Sequence, residues 1–192
     1  MGTRICITGG IACGKSQLAR CLNRLGVETL DADDVVHRLI PAEERRRLAA
    51  KVFADPVARQ ELEARIHPLV EQAFEAWFAG EPSLDATPGG DAAGPKLKMA
   101  IIPLLFEVQW DGKYDKICCV ICEKSRQIER MMQKRGYTRE EAERRLAAQM
   151  PVSEKAAKSH YVIRNDGSIE ELEQEAVRFV AWAREKEKMS HE

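Results

Sequence analysis

The segment from Gly9 to Ser16, called the phosphate loop below, constrains the fold more than any other part of the sequence. Its residues, GGIACGKS, fit the pattern G-x-x-x-x-G-K-[ST] without a mismatch. The apolar run Arg4–Thr8 before it has the composition of a short strand, and Lys15–Leu25 after it has helical spacing. A strand, a glycine-containing turn and a helix in this order are typical of a phosphate-binding turn in an α/β fold.

The residue types of the phosphate loop suit a nucleoside triphosphate. Gly9 and Gly14 permit backbone angles that other residues avoid, so that N–H groups and the helix N-terminus can face one anion. Lys15 offers charge to the β- and γ-phosphates, and Ser16 offers a hydroxyl to Mg²⁺. We therefore expect ATP and Mg²⁺ as cofactors. The residues expected at the nucleotide are Gly10, Ile11, Ala12, Cys13, Gly14, Lys15, Ser16 and Gln17.

Cys13 is an uncommon neighbour for phosphates. It lies close to a helix N-terminus and to Lys15, and both favour a thiolate. We predict that ATP protects it from alkylation.

The segment Cys118–Cys122 holds three of the six cysteines and is predicted as a buried strand. We expect reduced thiols there, because the sequence has no second C-x-x-C that would complete a zinc site.

Strands and helices alternate along the rest of the chain. The further predicted strands are Val27–Leu30, Lys98–Leu105, Lys116–Cys122 and His160–Ile163. The further predicted helices are Asp33–Ile40, Ala42–Phe53, Val57–Phe78 with a kink or break at Pro68, Ser125–Arg135, Thr138–Met150 and Ser168–Lys188. This alternation predicts an α/β fold, with a five-stranded parallel sheet covered by helices on both faces.

We expect one domain over residues 1–192. Within it, residues of about 34–79 form a helical region on the acceptor side, and about 135–150 form a lid. Residues of about 80–97 are rich in Gly, Pro, Ala and Asp, and they are predicted as a flexible insert.

Composition limits the class of partner. The 30 basic and 31 acidic residues give a net charge of −1, which argues against a protein that holds nucleic acid by bulk charge. No apolar run approaches the roughly 20 residues of a membrane helix, and the N-terminus does not resemble a signal peptide. We expect a cytoplasmic monomer with a small-molecule substrate and with neither a nucleic acid nor a membrane as partner.

Two acidic segments follow predicted strands, near the edge where parallel sheets bind ligands. In the first, Asp31 or Asp33 can hold Mg²⁺ or orient an attacking hydroxyl, but either can equally cap the helix that follows. In the second, Glu107 is either close to Mg²⁺ or an ordinary loop residue. A third feature is a pair of arginine-bearing helices over Gln127–Gln149, which can bring cations to a transferred phosphoryl group.

The chain resembles the dephospho-CoA kinase family, through motifs that occur in family order and cover most of its length. The matching pieces are ITGGIACGKS (Ile7–Ser16), LDAD (Leu30–Asp33) with Arg38, VFADP (Val52–Pro56), LEARIHPLV (Leu62–Val70), IPLLFE (Ile102–Glu107), QIERMMQKR (Gln127–Arg135), RRLAAQM (Arg144–Met150) and YVIRNDGS (Tyr161–Ser168). The chain departs from the family in a short Arg38–Val52 stretch and in the insert.

This resemblance implies ATP-dependent phosphorylation of the ribose 3′-hydroxyl of dephospho-CoA, the final step of coenzyme A synthesis. It implies Asp33, Lys15 and Arg145 as catalytic residues, with Asp33 as the base or an orienting carboxylate. Arg135 would contact the phosphates, and Asn165 would lie near the adenine. The residues implied near the acceptor are Asp33, Arg38, His67, Leu105 and Glu107.

Three other functions remain open from the sequence. One is a related nucleoside or nucleotide kinase, and another is an ATP-binding protein with weak or lost kinase activity. The third is a nucleotide switch, since Asp91–Gly94 fits the D-x-x-G of a GTPase. That segment lies in the insert and not at a strand end, and the sequence contains no NKxD motif.

Overall fold

The computed structural model describes residues 3–41, 43–44, 56–81, 86–87 and 97–188. The strands are β1 (Ile5–Gly9), β2 (Glu28–Asp31), β3 (Ala86–Thr87), β4 (Lys98–Ile101), β5 (Lys116–Ile121) and β6 (Tyr161–Arg164). The helices are α1 (Lys15–Arg24), α2 (Ala32–Leu39), α3 (Pro56–Phe78), α4 (Lys124–Arg135), α5 (Arg139–Ala147), α6 (Val152–Ala157) and α7 (Ile169–Lys188). The chain forms two compact units, Leu30–Thr87 and the remainder.

The larger unit is built on a parallel sheet with β1 at its centre. β1 pairs with β4 on one side and with β5 on the other, and β6 pairs with β5. The N–H of Glu28 donates to the carbonyl of Leu97, so that β2 begins next to the start of β4. The five predicted strands of the parallel sheet are confirmed, and the two-residue strand β3 adds a sixth at the edge, next to β2.

Both faces of this sheet are covered. All five residues of β1 are buried, as expected for a central strand in a parallel sheet. Leu18 and Leu22 of α1 and Phe179 of α7 belong to the same apolar cluster as Cys118 of β5. On the opposite face α6 packs against β5 and β1. The buried strand predicted around Cys118 is therefore present, with helices on either side of it.

The predicted helix termini follow from short-range side-chain hydrogen bonds. Thr138 caps α5, where its hydroxyl accepts from the N–H of Glu141 at 3.2 Å. Ser168 and Glu171 form a reciprocal capping box at the start of α7, in which each side chain accepts from the other residue's N–H. Gly136 ends α4 in the left-handed conformation, with φ of 67°.

Several predicted boundaries are wrong. β4 ends at Ile101 and not at Leu105, because the N–H of Ile102 makes the last bond to β1 and Pro103 has no N–H to continue the ladder. The helix predicted up to Met150 ends at Ala147, and the separate helix α6 follows Pro151. Pro68 lies inside α3 without breaking it.

Other expectations fall largely outside the described residues. Only positions 43–44 of the predicted helix Ala42–Phe53 are described. Of the insert predicted at about 80–97, the described positions are 80–81, 86–87 and 97. The D-x-x-G segment lies outside them entirely. No helix in the described ranges is long and apolar enough to span a bilayer.

The smaller unit contains α2 and α3, which pack against each other. Val70, Phe74 and Trp77 of α3 are buried, and the rings of Phe74 and Trp77 meet edge to face with centroids 6.5 Å apart. Asp31 caps α2, because its Oδ1 accepts from the N–H of Asp33 at 2.9 Å. The predicted acceptor-side helices at about 34–79 belong to this unit.

Candidate active site

The phosphate loop has the tight curvature that its glycines predict. Gly9 and Gly14 have φ angles of 142° and 98°, values that residues with a Cβ rarely adopt. A Cβ on Gly9 would lie 2.2 Å from the Val120 carbonyl oxygen, and one on Gly14 would lie 2.1 Å from Nδ2 of Asn165. The loop therefore needs glycine at both positions for conformation and for space.

Lys15 extends from the first turn of α1 across the mouth of the phosphate loop. Its Nζ donates to the carbonyl oxygens of Gly9 and Gly10, each at 2.9 Å. The first turn of α1 carries no acidic side chain, and Ser16 is exposed on it. Cation and helix terminus thus combine on one side of the loop, and this arrangement attracts a polyanion.

Three side chains from distant elements hold the loop backbone. Nε2 of Gln127 donates to the Ile11 carbonyl at 2.7 Å, and Nη1 of Arg130 donates to the Ala12 carbonyl at 3.3 Å. Asn165, at the end of β6, donates from Nδ2 to the carbonyl of Cys13 at 2.7 Å. Arg130 also donates to the carbonyl of Asn165 at 2.9 Å, which links two of the supports.

The end of the predicted lid contacts two loops of the larger unit. Oε1 of Gln149 accepts from the N–H of Ile11 in the phosphate loop at 3.2 Å. The next residue, Met150, donates its N–H to Oε1 of Glu107 at 3.1 Å. Glu107 lies just beyond β4 and is partly buried. Its Oε1 is also 2.7 Å from Nζ of the fully buried Lys155.

Cys13 is fully buried beneath the loop and contacts a second thiol. Sγ of Cys122 donates to Sγ of Cys13 at 3.5 Å. This hydrogen bond, together with the charge of Lys15, lowers the pKa of Cys13 to about 7 against the opposing effect of burial. The pKa of Cys122 is raised by its role as donor and by burial. All six cysteines are free thiols.

The two candidate acidic residues of the smaller unit take different parts in the N-cap of α2. Asp31 is the N-cap of α2, as described above, whereas Asp33 contributes its N–H to that cap and has an exposed side chain. The sequence left open whether Asp31 or Asp33 caps the helix. Asp31 is the cap, so the carboxylate of Asp33 is not needed for capping. Arg38 is exposed in the last turn of α2, and His67 is half-buried on α3.

The two arginines predicted to face the phosphates, Arg135 and Arg145, lie on α4 and α5. The guanidinium of Arg145 lies 4.2 Å from the centre of the Tyr137 ring, and its Nη2 is 3.7 Å from Oε1 of Glu141. Arg135 is exposed in the last turn of α4. Leu105 is fully buried, so its side chain packs within the protein.

Sequence reasoning missed most of the residues that support the phosphate loop. The sequence indicates Arg130 only as one of several arginines that can bring a cation to the phosphoryl group, and it indicates no role at the site for Gln127, Gln149, Lys155 or Cys122. One available signal was the spacing of Gln127 and Arg130, because residues three positions apart share a helix face. Their neighbours Ile128 and Met131 are buried, so this polar pair borders the core.

Comparisons with known proteins identify the family. The family model for CoaE, dephospho-CoA kinase, matches residues 3–44 and 42–171, and the two segments meet in the stretch predicted to be short. A dephospho-CoA kinase from Geobacter sulfurreducens is 35% identical over 189 residues, covering 87% of this chain and 91% of that protein.

Solved structures agree with this assignment. The crystal structure of TT1252 from Thermus thermophilus aligns with a TM-score of 0.74 at 31% identity, over 94% of this chain and 97% of that one. Dephospho-CoA kinase from Campylobacter jejuni aligns with a TM-score of 0.67 at 25% identity, over 99% of this chain and 100% of that one. The predicted P-loop kinase fold is confirmed, and the chain belongs to the dephospho-CoA kinase family.

Proposed function

We propose that this protein transfers the γ-phosphoryl group of ATP to the ribose 3′-hydroxyl of dephospho-CoA, the final step of coenzyme A biosynthesis. Membership of the dephospho-CoA kinase family is the observation that carries the proposal. The phosphate loop supports it independently, since in P-loop enzymes such a loop holds the β- and γ-phosphates of the triphosphate.

The residues present fit a nucleoside triphosphate. Gly9 and Gly14 allow the loop its positive φ angles and its close approach to Val120 and Asn165, and Lys15 carries a cation to the mouth of the loop. In the proposal the nucleotide contacts residues 10–17, Arg135 lies at the phosphates, and Asn165 lies near the adenine. The side chain of Asn165 already donates to the carbonyl of Cys13 in the loop. In the proposal the same residue therefore both supports the loop and lies next to the nucleotide.

Mg²⁺, when bound, would neutralise charge on the β- and γ-phosphates, and the hydroxyl of Ser16 would be its protein ligand. Lys15 would stabilise the same phosphates. Arg145 would add positive charge at the transferred group, once it leaves its contacts with Tyr137 and Glu141.

On the acceptor side, Asp33 would orient the attacking hydroxyl and take its proton. Its exposed carboxylate and the capping role of Asp31 are compatible with this assignment. Arg38, His67, Leu105 and Glu107 would bind the acceptor, and the buried side chain of Leu105 leaves its backbone for that contact. The proposal also includes a single-domain, monomeric, cytoplasmic enzyme.

Incubation of the purified protein with ATP, MgCl₂ and dephospho-CoA tests this proposal, with products identified by mass and the phosphate position by fragmentation. We expect coenzyme A and ADP. Parallel reactions contain a panel of nucleosides and nucleotides as acceptors. Turnover confined to that panel would reject dephospho-CoA as the substrate. Binding of ATP without turnover of any acceptor would show a chain that has lost kinase activity.

A further inference from the structure

Lys155, which is buried next to the candidate site and forms an ion pair with Glu107, has no part in the roles proposed so far. Lys155 of α6 is fully buried, and its Nζ lies 2.7 Å from Oε1 of Glu107. The same Nζ donates to the Pro103 carbonyl at 2.8 Å. Charged side chains are rarely buried to this extent without a partner, because burial removes their hydration. Lys155 is therefore committed to the segment that follows β4.

The carboxylate held by Lys155 also receives the end of the lid. Oε1 of Glu107 accepts from the N–H of Met150, while the adjacent Gln149 accepts from the phosphate-loop N–H of Ile11. Two consecutive residues thus fasten the lid to Glu107 and to the phosphate loop. A change in the orientation of Glu107 would alter the first of these attachments directly.

The opposite end of this network returns to the strand before the phosphate loop. The carbonyl of Pro103 accepts from Nζ of Lys155 and from the hydroxyl of Thr8, the latter at 3.2 Å. Thr8 is a fully buried residue of β1 and immediately precedes the loop. Lys155 consequently ties α6 to Pro103 and Glu107 of the post-β4 segment, and Thr8 ties the same segment to the strand that carries the loop.

The second carboxylate oxygen of Glu107 makes none of these contacts. Its Oε2 is buried and has no hydrogen-bond partner among the residues that the structure describes. A buried carboxylate oxygen without a donor is unfavourable, so the contacts of the other oxygen must offset this cost to keep the carboxylate in place. The other oxygen is fixed by Lys155 and Met150, and this fixes the direction in which Oε2 points.

We propose that Lys155 is a positioning residue for phosphoryl transfer, which holds the Glu107 carboxylate and the end of the lid in register with the phosphate loop. The inference rests on the proposed kinase function and on the acceptor-side role of Glu107. Lys155 itself touches neither substrate. Its loss is expected to affect acceptor use far more than ATP binding.

The test compares Lys155→Met, Lys155→Arg, Glu107→Gln and the double variant Lys155→Met/Glu107→Gln. For Lys155→Met we expect kcat/KM for the acceptor to fall on the order of 100-fold, the size of effect that a small misplacement of a reacting group produces. The affinity for ATP, measured by equilibrium titration, should stay at the wild-type value. Lys155→Arg should recover part of the activity, because it restores a cation opposite Glu107.

Lys158→Met is the matched control. Lys158 ends the same helix but is exposed, and it has no ion pair with Glu107 in the part of the chain that is described. We expect its kinetics to match the wild type. The double variant should be no slower than Glu107→Gln alone, because both substitutions release the same carboxylate. Wild-type acceptor kinetics in folded Lys155→Met, or multiplied losses in the double variant, would overturn the inference.

Lys155→Arg protects the test against misfolding, since it keeps a cation opposite Glu107. If Lys155→Met fails to fold, a lowered kcat/KM for the acceptor in Lys155→Arg at unchanged ATP affinity supports the inference, and wild-type acceptor kinetics in Lys155→Arg overturn it. The proposed function is judged separately, from wild-type turnover of dephospho-CoA. If the wild type uses another acceptor, the same ratios are measured with that acceptor.

Discussion

The phosphate loop and the helix α2 are held in shape by different kinds of contact. Side chains of Gln127, Arg130 and Asn165 hold the loop through its own carbonyl groups. In α2, a local cap from Asp31 fixes the helix start, and Asp33 and Arg38 extend from it as exposed side chains. The loop is thus shaped by contacts from far along the chain, whereas the start of α2 is fixed by a neighbouring residue.

This difference suggests how the two sides contribute to function. A loop that is held in shape before its ligand binds has less conformational freedom to lose on binding. On α2 the carboxylate of Asp33 is exposed, and we expect an acceptor to order such a side chain when it binds. Substitutions at the loop should therefore change nucleotide affinity or transfer, while those on α2 should change acceptor chemistry and leave ATP binding intact.

The largest effect is expected at the phosphate loop itself. Lys15→Ala should lower kcat by about 10³-fold, because it removes a cation that faces the phosphates in a preorganised site. Folding should persist, since Gln127, Arg130 and Asn165 still hold the loop backbone in this variant. The measurements are steady-state kinetics and thermal unfolding. Arg20→Ala, which alters an exposed cation on the same helix, is the control, and equal decreases in kcat in both variants would contradict the assignment.

The second largest effect is expected for a substitution in α2, which should change kcat without changing ATP affinity. Asp33→Asn should lower kcat by about 10²-fold, since an amide cannot take the proton of the attacking hydroxyl. ATP affinity should not change. Asp34→Asn, at the adjacent exposed residue in the same helical turn, is the matched control. Near-normal turnover in Asp33→Asn would remove its carboxylate from the chemistry.

The sequence predicted those parts of the molecule that depend on local patterns. Patterns of a few consecutive residues were enough to predict the strand–loop–helix unit and the buried strands. The same holds for the helix caps at Thr138 and Ser168. The six-residue helix α6 was missed because it is too short to show a periodic apolar pattern. Its buried Lys155 could not be recognised either, because Pro103, one of its partners, lies 52 positions away in the sequence.

The same limit explains which site residues were missed. Gln127 is 116 positions from the loop carbonyl it contacts, and Gln149 is 138 positions from the N–H it accepts. Such pairs are set by the packing of the sheet and helices. Asn165 was reached only through the family resemblance, and its bond to the carbonyl of Cys13 was not foreseen. The capping choice between Asp31 and Asp33 likewise required coordinates, since either residue type is a favourable N-cap.

A smaller effect should follow from removing one support of the loop. Asn165→Ala leaves the carbonyl of Cys13 without the donor at 2.7 Å, which costs about 1 kcal/mol and weakens ATP binding by roughly 5- to 10-fold. The KM for the acceptor should not change. Asn23→Ala is the control, because its amide also donates to a backbone carbonyl, that of Val27 at 3.0 Å, but away from the loop. Equal ATP affinities in both variants would show that the loop keeps its shape without Asn165.

The smallest effect concerns the thiol beneath the loop. With a pKa of about 7, the thiolate fraction of Cys13 rises as pH increases, so its alkylation rate should rise roughly twofold between pH 7 and 8. The reaction will be slow, because the buried thiol is reached only when the loop opens. Saturating ATP should slow it further by holding the loop closed. Peptide mapping after timed iodoacetamide treatment reports the site of labelling.

Two other thiols of the chain sharpen this experiment. Cys122→Ala removes the thiol donor and should move the midpoint of Cys13 labelling to higher pH. Cys119, with its pKa raised to about 12 by burial, serves as the internal reference that stays unlabelled. Equal labelling of Cys13 with and without ATP would mean that the nucleotide does not restrain the loop, and the contrast between a preorganised loop and the exposed side chains of α2 would then lose its main support.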